Sequence, residues 1–399
     1  LQGRSPRTLL FYNHYDVQPV DPLNLWTSPP LEPVVRDGAL YARGAKDDKG
    51  ELLARLAAVD AVRAAHDGQS PCGVTFVVEG EEEIGSPHIA QFVRDHLDLL
   101  ASHGAIWEEG QINADGQPLL TLGRRGILYV QLEAQAMTRD AHSGSAHILP
   151  NAAWRLLYAL HSLRAPDGRI LIHGFYDHVQ PPSPLDLELF AAEPSNEARL
   201  RDEYGVTDFV DGLSGVALKQ AVFNPTCNIA GLTAGYQADG MKTVIPARAT
   251  AKVDFRLVPD QDPDDILEKL RRHLDEHGFE DIRIQRLGAM WPARAPADDP
   301  LVRLTVRTGE DVGSSPVYAF ARPLGIPVVS PGVGYPGSRT HAPDEHVRLD
   351  HFLLAARHIA RILEGFVGFC SNGFAIELLG EVTRDVAASF LTAAGPHQA

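Results

Sequence analysis

The sequence predicts an α/β protein interrupted by a smaller α+β domain, and three observations carry that expectation. Short apolar runs of strand length alternate with a helical segment near the start of the chain. The same arrangement returns toward its end. Between the two, strands that alternate apolar with polar residues are accompanied by helices, the pattern of a sheet with one solvated face.

Thr8–Tyr12 (TLLFY) and Val74–Val78 (VTFVV) are apolar runs of strand length, and Glu51–Ala65 between them sets Leu52, Leu53, Leu56, Val59 and Val62 at helical spacing. Asp47 and Asp48 stand just before that helix, where its dipole favours negative charge and where Asp caps well. Apolar runs flanked by helices imply a sheet covered on both faces. In the middle, Ile127–Ala134 and Ala247–Val258 alternate as half-buried strands, while Asn151–Leu163 and Asp264–His277 read as helices. Gln180–Asn196 is Pro-rich and acidic, an excursion over the surface. Pro300–Val306, Tyr318–Phe320, Ile326–Ser330 and the helical Asp350–Phe366 repeat the first arrangement. The resulting domains are 1–123 with 294–369 for the α/β part and 124–293 for the insertion, followed by 370–399 as an extension of unknown role. The chain opens with Leu1 and enters a strand almost at once, so further sequence upstream is expected.

A chain of 399 residues is long enough for two or three domains of ~100–200 residues each. Its 36 Lys and Arg against 52 Asp and Glu give a formal net charge of −16, which repels nucleic-acid phosphates and anionic lipid surfaces. Neither a nucleic acid nor a membrane is expected as a partner. Cys72, Cys227 and Cys370 are scattered and lack CxxC spacing, so no disulfide framework or thiolate metal site is expected, and the cytoplasm is the expected compartment.

The chemistry-bearing residues gather after the strand-like runs. His14 and Asp16 follow TLLFY, and the two-residue period of an extended chain points them to one side. Glu79, Glu81, Glu82 and Glu83 crowd the end of VTFVV, Glu108 and Glu109 follow Trp107, and His341 lies in a Gly/Pro-rich loop after the late apolar run. Carboxylates so crowded at a strand end require a cation or raised pKa values. Nitrogen and oxygen ligands without sulfur suit Zn²⁺, Mn²⁺ or Co²⁺ in an open catalytic site, and two ions sharing a carboxylate would use this many ligands.

Five ordered segments carry a resemblance: His14-Tyr15-Asp16-Val17-Gln18-Pro19, Arg43-Gly44-x-x-Asp47-Asp48-Lys49-Gly50, Glu79-Gly80-x-Glu82-Glu83-Ile84-Gly85-Ser86, Asp140-Ala141-His142-Ser143-Gly144 and Thr340-His341-Ala342-Pro343. Together they resemble the M20 family of metallopeptidases, in its carnosinase-like dipeptidase branch, from roughly Leu9 to Phe366. The resemblance implies a zinc-peptidase-like catalytic domain with an inserted lid and dimerisation domain. It further implies hydrolysis of the amide bond of a dipeptide or similar small peptide by two divalent ions, Zn²⁺ foremost with Mn²⁺ or Co²⁺ as alternatives.

Position by position, Asp47 resembles the carboxylate bridging both ions, His14 and Glu108 the ligands of one, and Glu83 and His341 those of the other. The Ile106-Trp107 pair before Glu108 selects that residue, whereas equal spacing to the Gly123 strand would select Glu109. Asp16 would orient His14, and Glu82 resembles the general base that activates a metal-bridging water. His142 resembles a residue that reaches the partner's active site in a homodimer formed through the inserted domain. Asn228 and Arg256 resemble residues of the substrate cleft, and the Arg256 fork would suit a peptide carboxylate. Two alternatives remain: an N-acyl-amino-acid deacylase with the same metal chemistry, and a catalytically silent dimeric metal-binding homologue. The segment from Arg307 to Pro316 is shorter than in the family, which bears on the closing of a substrate loop.

Overall fold

The computed structural model of the chain describes residues 1–108, 110–112, 118–119, 123–192, 195–306 and 318–367. Glu109, the Arg307–Pro316 segment and the extension from Cys370 lie outside them. The chain divides into two compact units, one from Leu1–Arg124 together with the described residues from Arg294, the other from Arg125–Ala293. In chain order the principal elements are β1 (Thr8–His14), α1 (Lys49–Ala65), β2 (Gly73–Glu79) and β3 (Ala105–Ile106). The second unit follows with β4 (Gly126–Gln135), α2 (Ala152–Leu163), β5 (Thr226–Ala234), β6 (Arg248–Leu257), α3 (Pro263–Glu276) and β7 (Arg283–Met290). The chain then returns to the first unit with α4 (Pro300–Val306), α5 (Tyr318–Leu324), β8 (Val328–Val329) and α6 (Leu349–Gly365).

The first unit is built on a parallel sheet of order β8-β3-β1-β2. Its centre, β1, has Leu9, Leu10, Phe11 and Tyr12 wholly buried, the signature of a strand covered on both faces. On one face Leu9 and Phe11 join α1 and α6 through Ala54, Ala58, Val62, Ile359 and Leu363. On the other, Tyr12 stacks on Trp107 with ring centroids 3.7 Å apart, and Phe320 of α5 packs against both. Of the late apolar runs only Ile326–Ser330 supplies a strand, because Pro300–Val306 and Tyr318–Leu324 coil into α4 and α5.

Helix α1 departs from the apolar stripe that its leucines outline. Leu56 is exposed, whereas Val59 and Val62 are buried and Leu53 packs on the core as the spacing predicts; the rest of the buried side is Gly50, Ala54, Ala57, Ala58 and Ala61 with Glu51 and Arg55. Small residues let the helix approach the sheet closely, and two opposite charges one turn apart tolerate burial together.

The second unit has an antiparallel sheet of order β5-β6-β4-β7. Leu128, Val130 and Leu132 of β4 and Val253 and Phe255 of β6 face a core shared with Leu156 and Leu160 of α2 and Leu270 and Leu274 of α3. Asn151 caps α2 by accepting the N–H of Ala153 at 2.8 Å, and Asp262 caps α3 by accepting that of Asp264 at 2.9 Å. Strands β5 and β7 escape the alternation pattern because each pairs through a register shift, at Ile229/Gly231 and Arg286/Gly288. Part of the Gln180–Asn196 excursion, Pro184–Ala192, is helical. No helix among the described residues is long and apolar enough to cross a membrane.

His358 of α6 donates through Nε2 to the carbonyl of Thr305 at 3.3 Å, and burial depresses its pKa to about 4. An unfolded chain binds that proton below about pH 6.5, so the stability fully present above that pH drains away as pH falls toward 4. The loss amounts to on the order of 3 kcal/mol. His358→Gln keeps a donor but cannot titrate. Urea unfolding at several pH values should show the wild type losing that much more than the variant between about pH 7 and pH 4, and parallel curves would contradict the assignment.

Candidate metal centre

The parallel strands end together, so the residues just beyond them meet. His14, last in β1, lies opposite Glu79, last in β2, while Glu108 comes two residues after β3. Loops beyond the carboxyl ends of parallel strands are where α/β sheets hold ligands. Asp47 and Asp48 arrive from the turn entering α1, Glu82 and Glu83 from a short 3₁₀ turn (Glu82–Ile84), and His341 from the loop before His346–Arg348.

Asp47 stands between the two histidines. Its Oδ1 is 3.2 Å from Nε2 of His14 and its Oδ2 3.0 Å from Nε2 of His341. Glu83 Oε2 lies 3.2 Å from the same His341 nitrogen, and Glu108 Oε2 3.7 Å from His14 Nε2. Two groups of donor atoms thus lie within 4.8 Å: His14, Asp48 and Glu108, and Asp47, Glu83 and His341. The other ring nitrogen of His14, Nδ1, faces the backbone carbonyl of Asp16 at 3.1 Å and its carboxylate at 3.3 Å, which leaves Nε2 for the centre. Asp16 also accepts the backbone N–H of Glu83 at 3.0 Å, so one carboxylate orients the imidazole and holds the acidic turn.

The electrostatics are those of a site built for cations. Burial disfavours the charged form of His14, yet Asp47, Asp48 and Glu82 outweigh it and push its pKa up to about 10. Burial likewise opposes ionisation of Asp47, but Lys46, His14 and His341 hold its carboxyl below the usual range. His341 is raised by its hydrogen bond with Asp47, against burial and with Glu83 assisting. In addition, Asp48 Oδ1 is buried without a hydrogen-bond partner. An orphaned carboxylate oxygen grouped with the His14 imidazole and the Glu108 carboxylate fits a divalent cation.

Several residues support the site through contacts that the sequence reading did not assign to them. Asp48 does not cap α1 through its side chain; its Oδ2 accepts from Asn13 Nδ2 at 2.6 Å and from the backbone N–H of His14 at 3.1 Å. Gln18 donates to Glu83 Oε2 at 2.8 Å. Glu345, wholly buried, takes the N–H groups of Gly44, Lys46 and Asp47 at 3.0–3.1 Å on one oxygen and Arg43 on the other. It thereby locks the Asp47 turn to the chain just after His341. The loops after β3 and β8 also touch, since a Cβ on Gly110 would fall 1.8 Å from the nitrogen of Gly332.

Of the remaining expected residues, all but Glu82 belong to the second unit. His142 is exposed, accepts the N–H of Gly144 at Nδ1 (3.0 Å) and faces Thr243 Oγ1 at 3.1 Å. Asn228 of β5 and Asp254 of β6 are paired in register and joined by a 2.8 Å hydrogen bond. Arg256, two residues along β6, shares their solvent-facing side of the sheet. Glu82 is partly buried, and its field contributes to the raised pKa of His14.

Glu345→Ala leaves the Arg43 guanidinium buried without its carboxylate, and breaking such a pair costs about 3–5 kcal/mol. A denaturant titration should register that loss, and a change under about 1 kcal/mol would remove Glu345 from its supporting role.

Residues 10–365 match the peptidase family M20/M25/M40. The chain is 32% identical over 272 residues to human Beta-Ala-His dipeptidase, covering 67% of this chain and 54% of that protein. It is 29% identical to Cys-Gly metallodipeptidase DUG1 of Saccharomyces cerevisiae, covering 68% and 57%. Among solved structures it is similar to the M20 family metallo-carboxypeptidase Sso-CP2 from Sulfolobus solfataricus, with a TM-score of 0.80, 33% identity and coverage of 91% and 86%. The chain spans little more than half the length of these two dipeptidases. A match over nearly its whole length, on a parallel sheet that ends in imidazoles and carboxylates, makes this chain a member of the peptidase family M20/M25/M40.

Proposed function

We propose that this protein hydrolyses the amide bond of dipeptides or similarly short peptides at a centre of two divalent ions. The single observation that carries the reading is Asp47, whose two oxygens each address a different histidine while Glu108 and Glu83 stand beside those histidines. His14 and Glu108 would hold one ion, Glu83 and His341 the other, and Asp47 both. Zn²⁺ suits the set best. Such ions supply Lewis acidity, polarising a carbonyl and lowering the pKa of water toward neutrality.

The chain's own residues supply the rest. In this reading the carboxylate of Glu82, next to Glu83 but not a ligand, takes a proton from the attacking water and gives it to the leaving amine nitrogen. Asp16 keeps His14 in the tautomer that presents Nε2. Arg256 receives the free carboxylate of the substrate and Asn228 adds a hydrogen bond nearby. The relatives' names support a substrate with such an end, since a dipeptidase and a carboxypeptidase both cut the bond next to a C-terminal residue. His142 would donate to the developing oxyanion in a partner subunit. Exposed Trp154, Leu157 and Tyr158 on α2 and exposed Ile229 and Leu232 on β5, an edge strand, support a homodimer through the second unit. The scattered cysteines favour a reducing compartment, the cytoplasm.

Glu82→Gln should lower kcat at least ~10²-fold with metal content intact, whereas Glu83→Gln should lose metal. The reverse pattern would move the base by one residue. Arg256→Met should raise KM for dipeptides roughly tenfold or more, the scale of a lost charged hydrogen bond. Faster turnover of N-acyl amino acids than of dipeptides by the wild type would replace the dipeptidase reading with a deacylase one.

A further inference from the structure

The guanidinium of Arg55 is buried inside the first unit, with 1% of its side chain exposed. Its Nη1 donates to the carbonyl of Tyr12 at 2.7 Å and to Oδ1 of Asn13 at 2.9 Å. Its Nη2 donates to the carbonyl of Trp107 at 2.5 Å and to Oε2 of Glu51 at 3.1 Å. These acceptors are not scattered. The Trp107 carbonyl belongs to the peptide that begins Glu108, and Asn13 directly precedes His14. With its oxygen held by Arg55, Asn13 turns Nδ2 to Asp48, whose same oxygen accepts the backbone N–H of His14.

One planar fork therefore ties the ends of β1 and β3 to α1 at the two points where His14 and Glu108 leave the sheet. Only a guanidinium presents several donors in that fixed plane; a lysine offers a point charge. The pair is also costly to bury, because an ion pair inside a protein is often no better for stability than apolar residues of similar volume. The other inward residues of α1 are mostly alanines. No hydrogen bond of Arg55 reaches Glu83 or His341.

We propose that Arg55 is a positioning residue for the His14–Glu108 half of the centre and not for the Glu83–His341 half. The inference rests on the two-ion reading above. Its test titrates Co²⁺ into the metal-free 399-residue chain, followed by calorimetry and visible absorption. Glu83→Gln leaves only the His14–Glu108 half intact, and Glu108→Gln leaves only the other. Glu51→Gln with Arg55→Met removes both members of the buried pair together and is added to each background.

In the Glu83→Gln background the added pair should raise the Co²⁺ Kd by roughly tenfold or more, as loss of an outer hydrogen-bond partner does, and should weaken the visible band. In the Glu108→Gln background the Kd should stay within about twofold, outside the range that loss of an outer partner produces. Equal weakening in both backgrounds, or none in either, overturns the proposal. A wild type that binds fewer than two Co²⁺ overturns the two-ion reading itself, which is a separate outcome. If circular dichroism shows that the paired substitution does not fold, Arg55→Lys, which keeps the charge and loses the fork, is read in the same two backgrounds by the same criterion.

Discussion

Carboxylates that arrive from separate segments at the strand ends of one sheet repel one another, and the rest of the first unit is arranged around that repulsion. Asp47, Asp48, Glu83 and Glu108 come within hydrogen-bond or ion-pair distance of only two imidazoles or their backbone. The protein's answer is to raise the pKa of both histidines, so that the carboxylate field is met by a bias toward the imidazolium form. A divalent ion in each group would do the same work with more charge and without the protons.

Holding like charges together requires a scaffold that does not yield, and the scaffold here is polar rather than apolar. Glu345 gathers three backbone N–H groups and a guanidinium, fixing the Asp47 turn from one side. Arg55 fixes the ends of β1 and β3 from below. Asp16 and Gln18 hold the Glu82–Glu83 turn from the His14 loop. Each buried polar group is costly alone and tolerable when satisfied, so the network is specific: displacing one member leaves another unpaired in a low-dielectric interior.

The first unit was legible because its strands are continuous apolar runs and its ligand candidates cluster beside them. His14, Asp16, Glu82 and Glu83 stand within a few residues of TLLFY or VTFVV, so local spacing exposes them. Glu345 and Arg43 are 302 residues apart, and nothing local to either announces the other. Arg55 was hidden by its helix, where the apolar spacing marks Val59 and Val62 but not the Ala-rich, Glu51- and Arg55-bearing face buried beside them. In the second unit, strands β5 and β7 were obscured by register shifts that break the two-residue period. The roles proposed for His142, Asn228 and Arg256 rest on resemblance alone, since an exposed residue has no local pattern that separates binding from solvation.

The central claim is that Asp47 is shared by two ions, each completed by its own histidine and glutamate. A crystal structure of the zinc-loaded chain with anomalous data at the zinc edge tests it most directly. The account predicts two peaks, one against His14 and Glu108, one against Glu83 and His341, with a different oxygen of Asp47 on each. A single peak, or two peaks bridged by Asp48 with Asp47 turned away, would contradict it.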